Sequence, residues 1–154
     1  MRAFALALLF CAGCFAPPPP AERAADAVRE LNLAARFGRT ELASALTSEA
    51  ARKGFITRRA SWGKELRVLD VELMGFDMPQ KDRVRVEVDY AWTRMDEGQL
   101  RTTRVSQEWR DSGRGFRLVS EQRTGGDLGL FGEPVQARPD APRRDVQFAT
   151  KVIN

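Results

Sequence analysis

Between Ala21 and Phe37 the apolar residues Ala24, Ala27, Val28, Leu31, Ala34 and Ala35 recur at three- and four-residue spacing, with Glu22, Arg23, Asp26, Arg29 and Glu30 on other faces. This period predicts an amphipathic helix with one buried stripe. Gly38 follows, where a helix C-terminus favours a left-handed residue. Thr40 is placed to cap a second, shorter helix through Leu42, Ala43 and Leu46, and Ser48 with Glu49 to open a third toward Ile56. From Lys64 the period changes to two. Leu66 to Phe76 is the first predicted strand, with Leu69, Val71 and Leu73 on one face and Asp70 and Glu72 on the other. The extra apolar Leu66 and Val68 predict a bulge or burial on both sides. Arg83 to Trp92 alternates cleanly, Val84, Val86, Val88, Tyr90 and Trp92 against Arg83, Arg85, Glu87, Asp89 and Ala91. Met95-Asp96-Glu97-Gly98 predicts a hairpin turn, Leu100 to Trp109 a third strand, Asp111 to Gly115 a second turn, and Phe116 to Gln122 a fourth strand. Leu100 has the opposite parity to Val105 and Trp109, which predicts a bulge near Thr102-Thr103. The glycine-containing run that follows lacks the spacing and the Lys-Ser/Thr ending of a phosphate loop. The tail, with Pro134, Pro139 and Pro142, holds one more short strand candidate, Val146-Gln147-Phe148-Ala149.

Helices followed by a run of antiparallel strands define an α+β class: N-terminal helices packed on a curved sheet of four or more antiparallel strands. Phe37-Gly38-Arg39-Thr40-Glu41-Leu42-Ala43-Ser44-Ala45-Leu46-Thr47 resembles the connection between the first two helices of nuclear transport factor 2-like, cystatin-like domains, with Arg39 in place of the usual acidic residue. Gln107-Glu108-Trp109-Arg110, a turn, and Gly115-Phe116-Arg117-Leu118-Val119 resemble that family's last hairpin. The resemblance implies a cone, a sheet wrapped around the long first helix. That superfamily hosts enzymes, binding modules and assembly factors alike.

The first fourteen residues, MRAFALALLFCAGC, read as an export signal: Arg2, an apolar stretch from Ala3 to Phe10, then small residues before a cysteine. Cys11-Ala12-Gly13-Cys14 resembles the lipobox of bacterial lipoproteins, with Cys11 where an aliphatic residue is usual. The resemblance implies cleavage before Cys14 and a diacylglycerol thioether on that residue. Cleavage near Gly13 or Ala16, leaving a soluble exported protein, is the alternative. An uncleaved anchor is disfavoured because the apolar stretch falls short of the roughly 20 residues that span a bilayer. Both cysteines lie in this segment, so the rest of the chain holds no disulfide and no thiolate metal site. Pro17 to Pro20 then form a stiff extended spacer. The organisation expected is a signal peptide over 1–13, the lipidated cysteine and spacer over 14–20, the α+β domain over 21–123, and a Gly/Pro-containing extension over 124–154.

Charge changes this picture little. The 25 Lys+Arg and 21 Asp+Glu of the 154 residues are interleaved, giving a net charge of +4 and no nucleic-acid stripe. Histidine is absent. This removes Ser-His-Asp and Cys-His nucleophilic systems and the commonest metal ligand, while carboxylates and Lys remain. No catalytic, metal or cofactor site is identified. Asp70, Asp89 and Glu87 are expected to point outward, and Asp77 and Asp127 to sit in loops without partners. The aromatic set Trp62, Phe76, Tyr90, Trp92 and Trp109 supplies the candidate ligand-binding residues, since the resemblance implies that such positions line the cavity; the same residues serve equally as core. The basic pairs Arg52-Lys53, Arg58-Arg59 and Arg143-Arg144 are candidates for peripheral association or plain solvated faces.

The expected function is a lipid-tethered envelope protein with a non-catalytic binding or structural role. Its partners would be the membrane, through the N-terminal lipid, and an envelope protein or small apolar ligand, without nucleic acid. Phe15 after Cys14, where Asp would mark inner-membrane retention, favours the outer membrane facing the periplasm. The alternatives are a small cone-fold enzyme of isomerase or cyclase type and a soluble exported binding protein.

Overall fold

A computed structural model describes residues 17–135. The leader, Cys14, Arg143-Arg144 and the terminal strand candidate at 146–149 lie outside the described residues.

Proline opens the first helix, α1 (Pro20–Arg36), at a position where its missing N–H has no intrahelical partner to lose. The stripe predicted from spacing is the stripe that is buried: Ala24, Val28, Leu31 and Ala35. Gly38 turns the chain at a φ of 70° and donates its N–H to Ala35 O. The short α2 (Thr40–Ala45) takes Thr40 inside rather than as its cap, which is Arg39. In α3 (Glu49–Arg58) the Ser48 hydroxyl does cap, accepting from the Ala51 N–H at 3.3 Å.

Four antiparallel strands follow in chain order: β1 (Leu66–Gln80), β2 (Arg83–Arg94), β3 (Leu100–Asp111) and β4 (Phe116–Gly126). The α+β class is therefore the observed one. The face toward α1 carries Val84, Val86, Val88, Tyr90 and Trp92 of β2, all buried. The bulge expected in β1 is present, with Leu69 left out of the register between Val68 and Asp70. The bulge expected at Thr102-Thr103 is not: β2 and β3 pair without a break from Arg83↔Arg110 to Thr93↔Leu100. The parity that suggested it has another cause. Leu100 lies on the outer face, 60% exposed, while the polar Arg101 and Thr103 occupy the inner positions and are buried. Arg101 is tolerated there because its guanidinium reaches Glu97 at 2.8 Å and lies over the Trp92 ring.

Two features go beyond the expected pattern. β1 overhangs the helical layer: Leu73 and Phe76 face the same way as their partners Val88 and Val86 yet are 38% and 43% exposed. Past β4, Leu130 is fully buried and Phe131 and Val135 pack against the core, so the chain after the last strand closes one end of the interior.

Candidate functional site

Polar groups gather inside the fold where α1, α3 and the sheet meet. Asn32, on the buried face of α1, donates to Gln107 Oε1 at 3.1 Å and to Val28 O at 2.8 Å. Its own Oδ1 accepts from Gln107 Nε2 at 3.0 Å and from the Tyr90 hydroxyl. Beside Gln107, in register across β3 and β4, stands Glu121. Its Oε2 accepts from Arg59 Nη2 at 2.7 Å, and its Oε1 accepts from Arg59 Nη1 and, at 3.1 Å, from Arg58 Nη2. The Arg59 guanidinium is walled by aromatic faces, 3.7 Å from the Phe55 ring centre, 4.8 Å from Trp62 and 5.2 Å from Phe131.

The protonation states follow from these partners. Burial pushes the Glu121 carboxyl up, but Arg59 and then Arg58 outweigh it and hold the group below its ordinary value. Burial likewise opposes charge on Arg59, and Glu121 more than offsets this. Burial drives the Tyr90 phenol well above its ordinary value despite the nearby Arg59. The interior thus holds an ionised carboxylate matched to guanidinium and a neutral phenol, every one already hydrogen-bonded. Such a centre has little spare proton-transfer capacity near neutral pH.

Outside it lies an open groove of about 400 Å³ at the C-terminal end of α1, lined by Ala35, Phe37, Trp62, Arg67, Val68 and Leu69 among others. Phe37 is 66% exposed there. One edge is fixed by Arg36, which donates to Asp70 Oδ1 at 2.9 Å and to the Leu69 carbonyl. Trp62 stands between groove and interior. Its ring meets the Tyr90 ring edge-on at 5.6 Å, and its Nε1–H donates to Leu130 O at 2.8 Å. The groove and the polar centre therefore share one wall.

The five aromatic candidates separate accordingly. Trp62 is half-buried on that wall and Tyr90 belongs to the polar centre. Trp92, which donates to Thr103 Oγ1 at 2.9 Å, and Trp109 are buried in the core and take no part in the Trp62 groove. Phe76 is a correction: it sits on the overhanging part of β1, beyond the helices, and lines no interior cavity. Asp70, Glu87 and Asp89 do lie on the outer side of the sheet, Asp89 bonded at 2.7 Å to Arg104. Asp77 is part of β1 rather than a loop, and Asp127 does have a partner, accepting from the Thr102 N–H at 2.9 Å. Arg58-Arg59 is no surface pair, since both side chains turn to Glu121. Asn32, Gln107, Arg59 and Glu121 were not signalled as site residues by the hydrophobic pattern. Among the described residues no group of three or more His, Cys, Asp or Glu is placed to hold a metal ion.

With the geometry in place, one likeness settles the architecture. A solved NTF2-like protein from Cytophaga hutchinsonii is similar to this chain at 15% identity, over 66% of this chain and 93% of that one, with a TM-score of 0.53. The fold is an NTF2-like cone. The intermembrane-space region of the chloroplast protein ARC6 is similar at 15% identity over 67% of this chain and 95% of that one, TM-score 0.47. A candidate polyketide cyclase from Xanthomonas campestris pv. campestris is similar at 16% over 65% and 90%, TM-score 0.48. At 15% identity the likeness to the Cytophaga hutchinsonii protein speaks for fold and not for activity. No family model matches the chain, and no curated protein matches it.

Proposed function

We propose that this protein is an exported lipoprotein, tethered through Cys14, whose cone domain binds a small apolar ligand at the Trp62 groove without turning it over. The observation that carries the reading is the wall itself: Trp62 separates an open, largely apolar groove from an interior whose carboxylate, Glu121, is already bonded to Arg59 and Arg58. An incoming apolar molecule would meet aromatic and aliphatic surface beside Arg36 and Arg67, and no carboxylate. No described helix is long and apolar enough to cross a membrane, and the tether rests on the lipobox-like Cys11-Ala12-Gly13-Cys14 alone.

Two measurements test the two halves. Palmitate labelling in cells should mark the wild type and not Cys14→Ala; equal labelling of both overturns the tether, and an exported but unlabelled wild type replaces it with a soluble binding protein. Native mass spectrometry of protein purified from envelopes should show a retained apolar species that Leu69→Asp loses. Leu69 is 40% exposed, so this variant tests the groove rather than the core. Protein that arrives bare, or holding a polypeptide instead, overturns the small-ligand reading.

A second reading, a small enzyme of isomerase or cyclase type, is favoured by one observation, a buried Glu121 carboxylate opposite Gln107, whose Nε2 donates to the Tyr90 hydroxyl at 3.2 Å. Glu121 would act as a base only after substrate displaced Arg58 and Arg59. A reaction catalysed by the wild type and abolished in a folded Glu121→Gln would establish it.

A further inference from the structure

The outer face of the sheet is built from cross-strand rows, and in two of them opposite charges meet across β2 and β3. Asp89 faces Arg104 at 2.7 Å, and Arg85 faces Glu108 at 3.5 Å. The last row differs. Arg83 of β2 is directly opposite Arg110 of β3, which is directly opposite Arg117 of β4. Like charges placed this way repel and lower stability, yet none of the three has a carboxylate partner among the described residues. Arg117 donates only to the Phe116 carbonyl, at 2.9 Å. Arg83 and Arg110 are exposed and border a pocket of about 120 Å³ shared with Pro79, Arg85 and Glu108. The acids nearby are Glu108, engaged with Arg85, Asp111, engaged with Arg23 at 3.2 Å, and the exposed Asp77 and Asp82.

The place of this row is as informative as its charge. Arg23, in the first turn of α1, reaches Asp111 and lies over the Phe116 ring, so α1 begins at the same end of the molecule as the row. Cys14 precedes Pro20 by six residues, a reach of roughly 20 Å.

We propose that Arg83, Arg110 and Arg117 form a surface that takes the anionic headgroups of a phospholipid bilayer, seating the tethered end of the domain on the membrane. The orientation of this surface rests on the tether at Cys14; its charge does not. The three guanidiniums repel one another in solution, and phosphodiester oxygens between them replace that repulsion with charge-assisted hydrogen bonds.

The test uses the chain from residue 15 to 154, which keeps every described residue and carries neither leader nor acyl group, so it reads the surface whether or not Cys14 is lipidated. Binding is measured by co-sedimentation with phosphatidylcholine vesicles with and without phosphatidylglycerol. Binding should require phosphatidylglycerol and weaken with added salt. Arg83→Ala with Arg110→Ala should weaken it about fivefold per cation, about 30-fold for both. The same pair changed to Lys should keep most of it, and Lys64→Ala with Arg67→Ala, at the other end of the molecule, should leave it unchanged. The alanine pair should unfold at no lower a temperature than wild type, because it relieves a repulsion. Binding that ignores phosphatidylglycerol, or that the Lys64/Arg67 pair weakens equally, overturns the proposal.

Discussion

Glu121 is the residue on which the interior depends. Its carboxylate neutralises an arginine that is itself enclosed by Phe55, Trp62 and Phe131. Glu121→Gln removes the charge and leaves Arg59 buried and uncompensated, a change that costs about 3–5 kcal/mol in comparable buried pairs. The cost is pH-dependent, with a defined sign. The folded-state value of Glu121 lies below its ordinary 4.5, so the carboxylate contributes stability that is present above that pH and is lost as pH falls through the lower folded value. Denaturant unfolding of wild type and Glu121→Gln should therefore differ most near neutrality and converge in acid. A constant difference across that range would show that packing rather than charge is what the residue supplies.

The elements were largely legible in the sequence, and the exceptions have a common cause. α1 follows its 3.6-residue stripe and β2 its strict alternation, because both bury one face continuously. Glu121 was hidden by a bulge. Phe116 and Leu118 set an inward parity that assigns Glu121 to solvent, but Val119 is an extra residue between the pairs Glu108↔Ser120 and Trp109↔Leu118, and it turns Glu121 inward. Gln107 and Arg101 were masked differently, as polar residues at inward positions of a strand otherwise marked by Val105 and Trp109. A pattern of hydrophobicity reports where apolar groups go and is silent on polar groups buried with their partners. Glycine marks one further constraint on these elements. At Gly126, with a φ of 78°, an added Cβ would lie 2.2 Å from the Thr102 carbonyl oxygen, whereas at Gly38, φ 70°, it would meet nothing. Gly38→Ala should cost about 1 kcal/mol for its backbone alone, and Gly126→Ala clearly more, as thermal unfolding would register. Equal losses would mean that β3 and β4 yield easily at this edge.

At the scale of the whole molecule the long helix sorts the two proposed surfaces. Its 17 residues extend roughly 25 Å, with the arginine row near its start and the Trp62 groove at its end. A domain seated on a bilayer by the first would open the second toward the aqueous side. This arrangement was not legible in the chain, because consecutive basic residues such as Arg58-Arg59 turned inward while Arg83, Arg110 and Arg117, far apart in sequence, were brought together by strand register. The overhang of β1 carries a different consequence. Past Leu69 this edge strand of 15 residues has no second strand paired to it among the described residues, and with Leu73, Met74 and Phe76 exposed it has the make-up of a template for intermolecular sheets. Its register shifts divide it into the paired runs Leu66–Val68, Asp70–Leu73 and Gly75–Asp77, all shorter than the roughly six residues that a steric zipper requires. These irregularities interrupt the strand before any run reaches that length, and deleting Met74, which joins two of the runs, should make the domain nucleate thioflavin-positive aggregates that the wild type does not form.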